Sequence, residues 1–311
     1  MENSLSKVKK FPFTEPLGWS VSRYDKFLLC KRQYYYDYYG KHDREYPRAR
    51  IDQLKAMTSL PLEVGNVVHD SIKTLLERLL ISEAPIDTVR FLDFARKKAE
   101  GYAKQKVFAE VYYREIDAVH PDAFFDMARR SLENFLKSDR YAWITEKAVD
   151  NKTGWLIEPP GYGETRINGL KAYCKVDFLF PVDGDIYILD WKTGKKDEKK
   201  HTKQLLGYAA WASYHFEKKV SEIFPLTVYL QPEYQEMSVD LARFDAADFV
   251  RQVERETKEM YALCRDFEKN LPKDKSEFPK TSNMNICKFC NYRELCLPPA
   301  VPSSPSSPMP F

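Results

Sequence analysis

The chain has 311 residues, of which 43% are hydrophobic and 31% charged, with a formal net charge of +3. That length allows one large domain or two modest ones with an ample core, and the composition is that of a soluble globular protein. So small a positive surplus does not mark a nucleic-acid binder, and any basic surface must be local; no apolar run is long enough to cross a bilayer.

The opening MENSLSKVKKFPF lacks the apolar stretch of a signal peptide, which predicts a reducing, cytoplasmic setting. Residues 1–18 read as a flexible arm. Ser22 followed by Asp25 reads as a capping box that opens a helix running to about Cys30, and YYYDYY and a charged loop come next. Apolar residues at Val64, Val68, Ile72, Leu75, Leu76 and Leu79 predict a helix over 62–81. Helical patterns over 86–115 and 121–138 extend this into a helical section of about 62–140. Near residue 143 the period changes. ITEKAVDNKTGWLIE, LKAYCKVDFLF, IYILDWK, LTVYLQ and YQEMSVDLA then read as strands, with a helix over 201–216 between the third and fourth. Asp245 caps a long amphipathic helix predicted over 245–271. The tail from 297, rich in Pro and Ser, reads as disordered. The order predicts one α/β domain over 19–296, with a core at about 143–271 behind a helical front section.

Strand alternation places Asp177 opposite Val176 and Phe178, and puts Asp190 and Lys192 together on one face of IYILDWK. Asp-Gly is a strong two-residue hairpin signal. With Asp183-Gly184 as the turn, Asp177 falls directly across from Asp190, their side chains about 5 Å apart. Two carboxylates so placed repel each other unless a divalent cation lies between them. Mg2+ suits the pair, being content with one or two carboxylates, waters and a phosphate. Lys192 is positioned to orient a metal-polarised water or to stabilise developing negative charge. Asp-x-Lys alone is common on surface hairpins, so the opposed Asp177 is what makes this half of a phosphodiester-hydrolysing site.

Gln204 and Tyr208, four residues apart, share a helix face. Before them Lys192, Lys195, Lys196, Lys199, Lys200 and Lys203 form a cationic loop suited to a phosphate backbone, although Asp197 and Glu198 offset part of the charge. His69 is either a buried core histidine or, if its helix crosses the hairpin's active face, a third metal ligand. Glu63 either supports that site or starts the helix.

Cys287, Cys290 and Cys296 form a C-x2-C-x5-C run whose thiolates can converge on one metal centre. Cys30, leading into a turn, is the best fourth ligand, whereas Cys174 and Cys264 read as packed thiols. Four thiolates accommodate either zinc or a 4Fe–4S cluster, and spacing leaves both open.

Together these residues resemble the PD-(D/E)xK nuclease superfamily, in particular its RecB-type branch with an iron–sulfur cluster, shared by AddB nuclease domains and CRISPR-associated adaptation nucleases. The resemblance runs from Ser22 to Cys296 through SVSRYDKFLLCKRQYYY, GNVVHDSI, KVDFLF, ILDWKTG, QLLGY and CKFCNYRELC. It implies a restriction-endonuclease-like mixed sheet flanked by helices, with a cysteine-ligated cluster joining the termini. His69, Asp177, Asp190 and the Trp191 carbonyl would bind Mg2+ or Mn2+, with Lys192 catalytic and Gln204 and Tyr208 contacting DNA. Cys30, Cys287, Cys290 and Cys296 would hold the 4Fe–4S cluster. The second acid is Asp where many relatives have Glu, which the RecB-type group shares. No G-x-x-x-x-G-K-[ST] loop is present, so unwinding would need a helicase or recombination partner. The expected function is a DNA exonuclease acting at ends or on single strands, in repair, recombination, or phage or CRISPR DNA processing. The rival readings are a non-catalytic nucleic-acid-binding module and a structural zinc protein. Tyr34–Tyr36 would either stack on unpaired bases or pack internally.

Overall fold

The computed structural model describes residues 11–82, 84–158, 164–167 and 169–297. The expected arm lies outside these residues as far as position 10, and the expected tail does so from 298 onward. Eight helices come first: α1 (Val21–Leu29), α2 (Lys31–Tyr39), α3 (Arg48–Ala56), α4 (Leu60–Ile81), α5 (Thr88–Gln105), α6 (Ala109–Tyr112), α7 (Pro121–Leu136) and α8 (Asp139–Glu146). Then follow β1 (Leu156–Ile157), β2 (Glu164–Ile167), β3 (Leu170–Tyr173), β4 (Phe178–Val182), β5 (Asp185–Lys192), α9 (Glu198–Phe216), β6 (Ile223–Tyr229), β7 (Gln235–Ser238) and α10 (Ala246–Tyr261). The chain closes with β8 (Cys264–Asp266), β9 (Leu271–Pro272), α11 (Met284–Cys287) and α12 (Arg293–Cys296).

The five-stranded sheet has the order β1-β4-β5-β6-β7. Only β5 and β6 run parallel, with α9 as the crossover that such a pair requires. Asp183 and Gly184 both take positive φ (50° and 91°), the requirement of a tight hairpin turn. The β4–β5 register therefore runs from Val182 opposite Asp185 to Phe178 opposite Leu189, as the Asp-Gly signal predicts.

Alternation divides the sheet's side chains between two cores. Phe178, Phe180, Leu189, Trp191 and Val228 pack with Val68, Leu75, Leu132 and Phe135 of α4 and α7. Leu179, Ile186, Ile188 and Ile223 pack on the other face against Leu205, Tyr208 and Trp211 of α9. The result is a helix–sheet–helix sandwich, the mixed α/β architecture expected. A third core joins the first and last segments: Phe27, Tyr34, Tyr35, Tyr36 and Tyr39 meet Phe278, Tyr292 and Leu295. Tyr34–Tyr36 are thus packed inside, each at most 2% exposed, and cannot stack on bases.

Four local expectations are corrected. Helix α1 is capped by Ser20, whose hydroxyl accepts from the Arg23 amide, so Ser22 lies inside the helix. Most of ITEKAVDNKTGWLIE is helical. Ser138 caps α8, a 3-10 segment covers Ala148–Gly154, and Ile144 and Ala148, one helical turn apart, are both buried. LKAYCKVDFLF splits in two because β3 pairs with β2 in a separate ribbon, while only β4 joins the main sheet. The predicted 245–271 helix, capped by Asp245 as expected, stops at Tyr261, and β8 then pairs with β9. Cys264 is therefore in a strand, its sulfur 3.2 Å from the Tyr39 hydroxyl. No helix among the described residues is long and apolar enough to cross a membrane.

Candidate metal centre

The hairpin, β1 and α4 converge at the end of β5. Asp177 immediately precedes β4, and its Oδ2 accepts from the Trp191 amide at 2.8 Å. The Asp177 carbonyl accepts from the Glu158 amide at 3.1 Å, so Glu158 stands across from it at the end of β1. Glu158 holds this place with φ of +33°, a left-handed conformation that costs an L-residue energy. Helix α4 packs close to the loop after β5: a Cβ on Gly65 would lie 3.4 Å from the Thr193 hydroxyl. His69 of α4 reaches this corner, its Nε2 3.0 Å from the Trp191 carbonyl and its Nδ1 3.3 Å from Asp177 and 3.7 Å from Glu158.

Ligand atoms of His69, Glu158 and Asp177 all lie within 4.8 Å of one another. Among the described residues no other group of three or more His, Cys, Asp or Glu side chains does so. Two carboxylates and an imidazole suit a hard divalent cation of the Mg2+ or Mn2+ kind. The Nε2 contact to a backbone carbonyl would fix the ring so that Nδ1 faces the ion. His69, buried and with no metal beside it, pairs with protons instead. Burial works against its charge, but the Asp177 and Glu158 carboxylates raise it to about 10. Burial likewise pushes Asp177 up, and the cations of His69 and Lys192 outweigh this and hold it low.

Asp190 is not part of that group of three. Its Oδ1 is 2.8 Å from the Tyr208 hydroxyl and 3.0 Å from Gln204 Nε2, while Oδ2 faces the Lys192 ammonium in an ion pair. That second oxygen is fully buried yet makes no well-directed hydrogen bond, which suits an atom meant for a further partner. Burial raises Asp190, and the Asp177 carboxylate adds to this against Lys192. Lys192 is held charged by both aspartates against the effect of burial.

Three expected contacts thus take another form. The Trp191 carbonyl meets His69 Nε2. Gln204 and Tyr208 hold Asp190, and Tyr208 is only 3% exposed, with its hydroxyl 2.9 Å from the Lys175 carbonyl as well. Glu63 neither starts the helix, which begins at Leu60, nor joins the group; it is buried and accepts from Thr58 at 2.7 Å. Sequence reasoning missed Glu158 and also Thr227, which pairs with Asp190 in the β5–β6 register and is fully buried with its hydroxyl unpartnered. The signal for Glu158 was its place at the end of WLIE, one step beyond a strand that pairs with β4.

At the opposite end of the chain's path, Cys30, Cys287, Cys290 and Cys296 line one small cavity of about 60 Å³. Cys30 caps α2, its sulfur accepting from the Gln33 amide. Burial pushes the Cys290 thiol up to about 12 and raises Cys296 too. The segment is laced to the front of the chain by Tyr292 to Asp37 at 2.6 Å, Tyr46 to the Leu295 carbonyl at 3.1 Å and Arg32 to the Phe278 carbonyl at 2.9 Å.

A family model, that of the PD-(D/E)XK nuclease superfamily, matches residues 18–297. The chain belongs to this superfamily. PD-(D/E)XK members are metal-dependent nucleases, and the match takes in the hairpin acids, His69 and all four clustered cysteines. No curated protein matches the chain. Among solved structures it is similar to a protein from Eubacterium rectale described as a "Putative exonuclease", at 13% identity and a TM-score of 0.48, covering 91% of this chain and 90% of that one. It is also similar to the protein SSO0001, at 19% identity and a TM-score of 0.28, over 72% of this chain and 95% of that one. Both TM-scores fall below 0.5, so membership of the PD-(D/E)XK superfamily rests on the family match.

Proposed function

We propose that this PD-(D/E)XK protein is a Mg2+- or Mn2+-dependent DNA exonuclease. The convergence of His69, Glu158 and Asp177 beside the Asp190–Lys192 pair is the observation that carries the reading. His69, Glu158, Asp177 and Asp190 would hold the cation. When bound, it would supply a water acidic enough to attack phosphorus and a Lewis acid for the leaving oxygen. Gln204 and Tyr208 fix the Asp190 carboxylate through Oδ1, leaving Oδ2 directed at the reaction. Lys192, kept protonated by its two carboxylates, places a positive charge where the phosphorane builds up negative charge. The RecB-type resemblance supports action at ends or on single strands, and a helicase or recombination partner where duplex must be opened.

End-labelled single-stranded and duplex oligonucleotides, together with a covalently closed circle, test this with Mg2+ and Mn2+. Stepwise loss of nucleotides from the linear strands, intact circles, and abolition by Asp190→Ala with DNA binding retained are the expected results. Cleavage undiminished by Asp190→Ala would refute the assignment, and cutting of circles would convert it to an endonuclease.

The four cysteines support a 4Fe–4S cluster over zinc. Thiolates on one zinc, with Zn–S of about 2.3 Å, lie about 3.8 Å apart, whereas no three of these sulfurs lie within 4.8 Å of one another. A cubane's larger spacing fits such a ring. Anaerobic purification tests it: a brown protein with iron and acid-labile sulfide in equal amounts is expected, and a colourless protein with one zinc would overturn the cluster.

A further inference from the structure

Beside the metal centre lies an open cavity of about 650 Å³, between the loop that follows β5 and the first turn of α9. Its inner wall is Lys192, and its rim carries Lys195, Lys196 and Lys200. The two acids at this rim are engaged elsewhere: Glu198 pairs with Lys196 at 2.8 Å, and Asp197 caps α9 by accepting from the Lys200 amide at 3.1 Å. Lys195 and Lys200 are exposed, and among the described residues neither has an acidic partner. The cavity therefore keeps a net positive field.

A more directed group lies at its floor. His201, 5% exposed, lines the cavity. Its Nδ1 is 2.5 Å from the hydroxyl of Tyr229, the residue paired with Lys192 in the β5–β6 register. Burial and the neighbouring Lys192 and Lys200 keep the imidazole uncharged, and burial keeps the Tyr229 phenol protonated. The phenol then donates to Nδ1, and the ring's remaining proton sits on Nε2 as an oriented neutral donor. Two mobile cations above one fixed N–H donor form a receptor for a tetrahedral anion.

We propose that this cavity binds the phosphate adjacent to the scissile one on a single strand of nucleic acid, through Lys195, Lys200 and His201 Nε2. The inference rests on the nuclease reading for its orientation, since Lys192 is shared between the cavity and the metal centre. Binding to the strand does not require cleavage, so the two can fail separately.

The test measures affinity for a fluorescently labelled single-stranded DNA in EDTA, over a range of salt concentrations. For Lys195→Ala/Lys200→Ala, about tenfold weaker binding is expected. The slope of log K against log salt should be shallower by about 1.4, from two lost single-strand phosphate contacts. His201→Ala should weaken binding about fivefold with the slope unchanged, and the thermal midpoint reports whether it folds. In the cleavage assay the lysine pair should raise KM and leave kcat at saturating DNA intact. A single neutral methylphosphonate next to the cleaved linkage should raise the wild-type KM and add nothing to that of the lysine variant. Wild-type affinity and salt slope in the lysine variant would overturn the proposal, as would equal sensitivity of both proteins to the neutral linkage. Loss of activity in Asp190→Ala has no bearing on either readout.

Discussion

Glu158 and Asp177 grip one imidazole from two neighbouring strands: their carboxylates lie 3.7 and 3.3 Å from His69 Nδ1, and the Glu158 amide is hydrogen-bonded to the Asp177 carbonyl. If Glu158 is a cation ligand, Glu158→Ala should weaken Mn2+ binding about 10- to 100-fold, the usual scale for losing one metal-supporting side chain. Titration calorimetry without DNA reads this directly. Unchanged Mn2+ affinity would leave Glu158 as a partner of His69 alone.

Tyr208 should behave as a structural support with catalytic consequences. Tyr208→Phe removes a buried hydroxyl that contacts Asp190 Oδ1 and the Lys175 carbonyl. About 1–3 kcal/mol of unfolding free energy should be lost, together with a fall in kcat and little change in KM. Urea denaturation and steady-state kinetics check the two effects.

Thr227 offers the opposite case. Its hydroxyl is fully buried with no hydrogen-bond partner, beside Asp190 in the neighbouring strand. Thr227→Val keeps the branched shape and strand propensity while removing an unsatisfied polar atom, so stability should rise by about 1 kcal/mol. A stability loss in urea would mean that the hydroxyl has a partner in solution, the natural one being a water shared with Asp190.

His201 gives the fold an acid-sensitive step. Its folded pKa of about 4 lies below the ordinary value of 6.5, because burial and the Lys192 and Lys200 charges oppose protonation while Asp197 favours it only weakly. Tyr229 faces it as a neutral phenol. Between pH 6.5 and 4 the unfolded chain takes up a proton that the folded chain refuses, so stability falls on acidification through this window. The loss should be about 2 kcal/mol, at the scale of 1.36 kcal/mol per pKa unit. Chemical denaturation from pH 7 to pH 4 should show a shallower decline in His201→Gln than in the wild type.

What could be read from the sequence was whatever depends on neighbours in the chain. Asp183-Gly184 sets its own turn, the turn sets the register, and the register brings Asp177 and Asp190 to one end of the hairpin. The Gln204–Tyr208 spacing likewise placed both side chains on one helix face, but their target, Asp190, came only from how α9 lies across the sheet. Glu158 was hidden because residues 143–158 alternate well enough to mimic a strand. Their actual helix is decided by the Ser138 cap and by burial of Ile144 and Ala148 against other elements. The end of α10 was obscured in the same way, since polar residues beyond Tyr261 continue a helical rhythm that the β8–β9 pairing interrupts. The cysteine spacing was plain, whereas the sharing of one cavity by Cys30 and the final three required the closed fold.

The tyrosine-lined core built from both termini has a consequence in time. During synthesis Tyr34, Tyr35, Tyr36 and Tyr39 leave the ribosome long before Phe278, Tyr292 and Leu295, which cover them. A nascent chain must therefore carry its stickiest aromatic surface uncovered until almost all of its residues have emerged. The sheet and its hairpin, whose pairings are mostly local, can assemble first. The last stretch then works as a clasp, and a ribosome stalled before it would hold a formed catalytic hairpin on an unsealed protein.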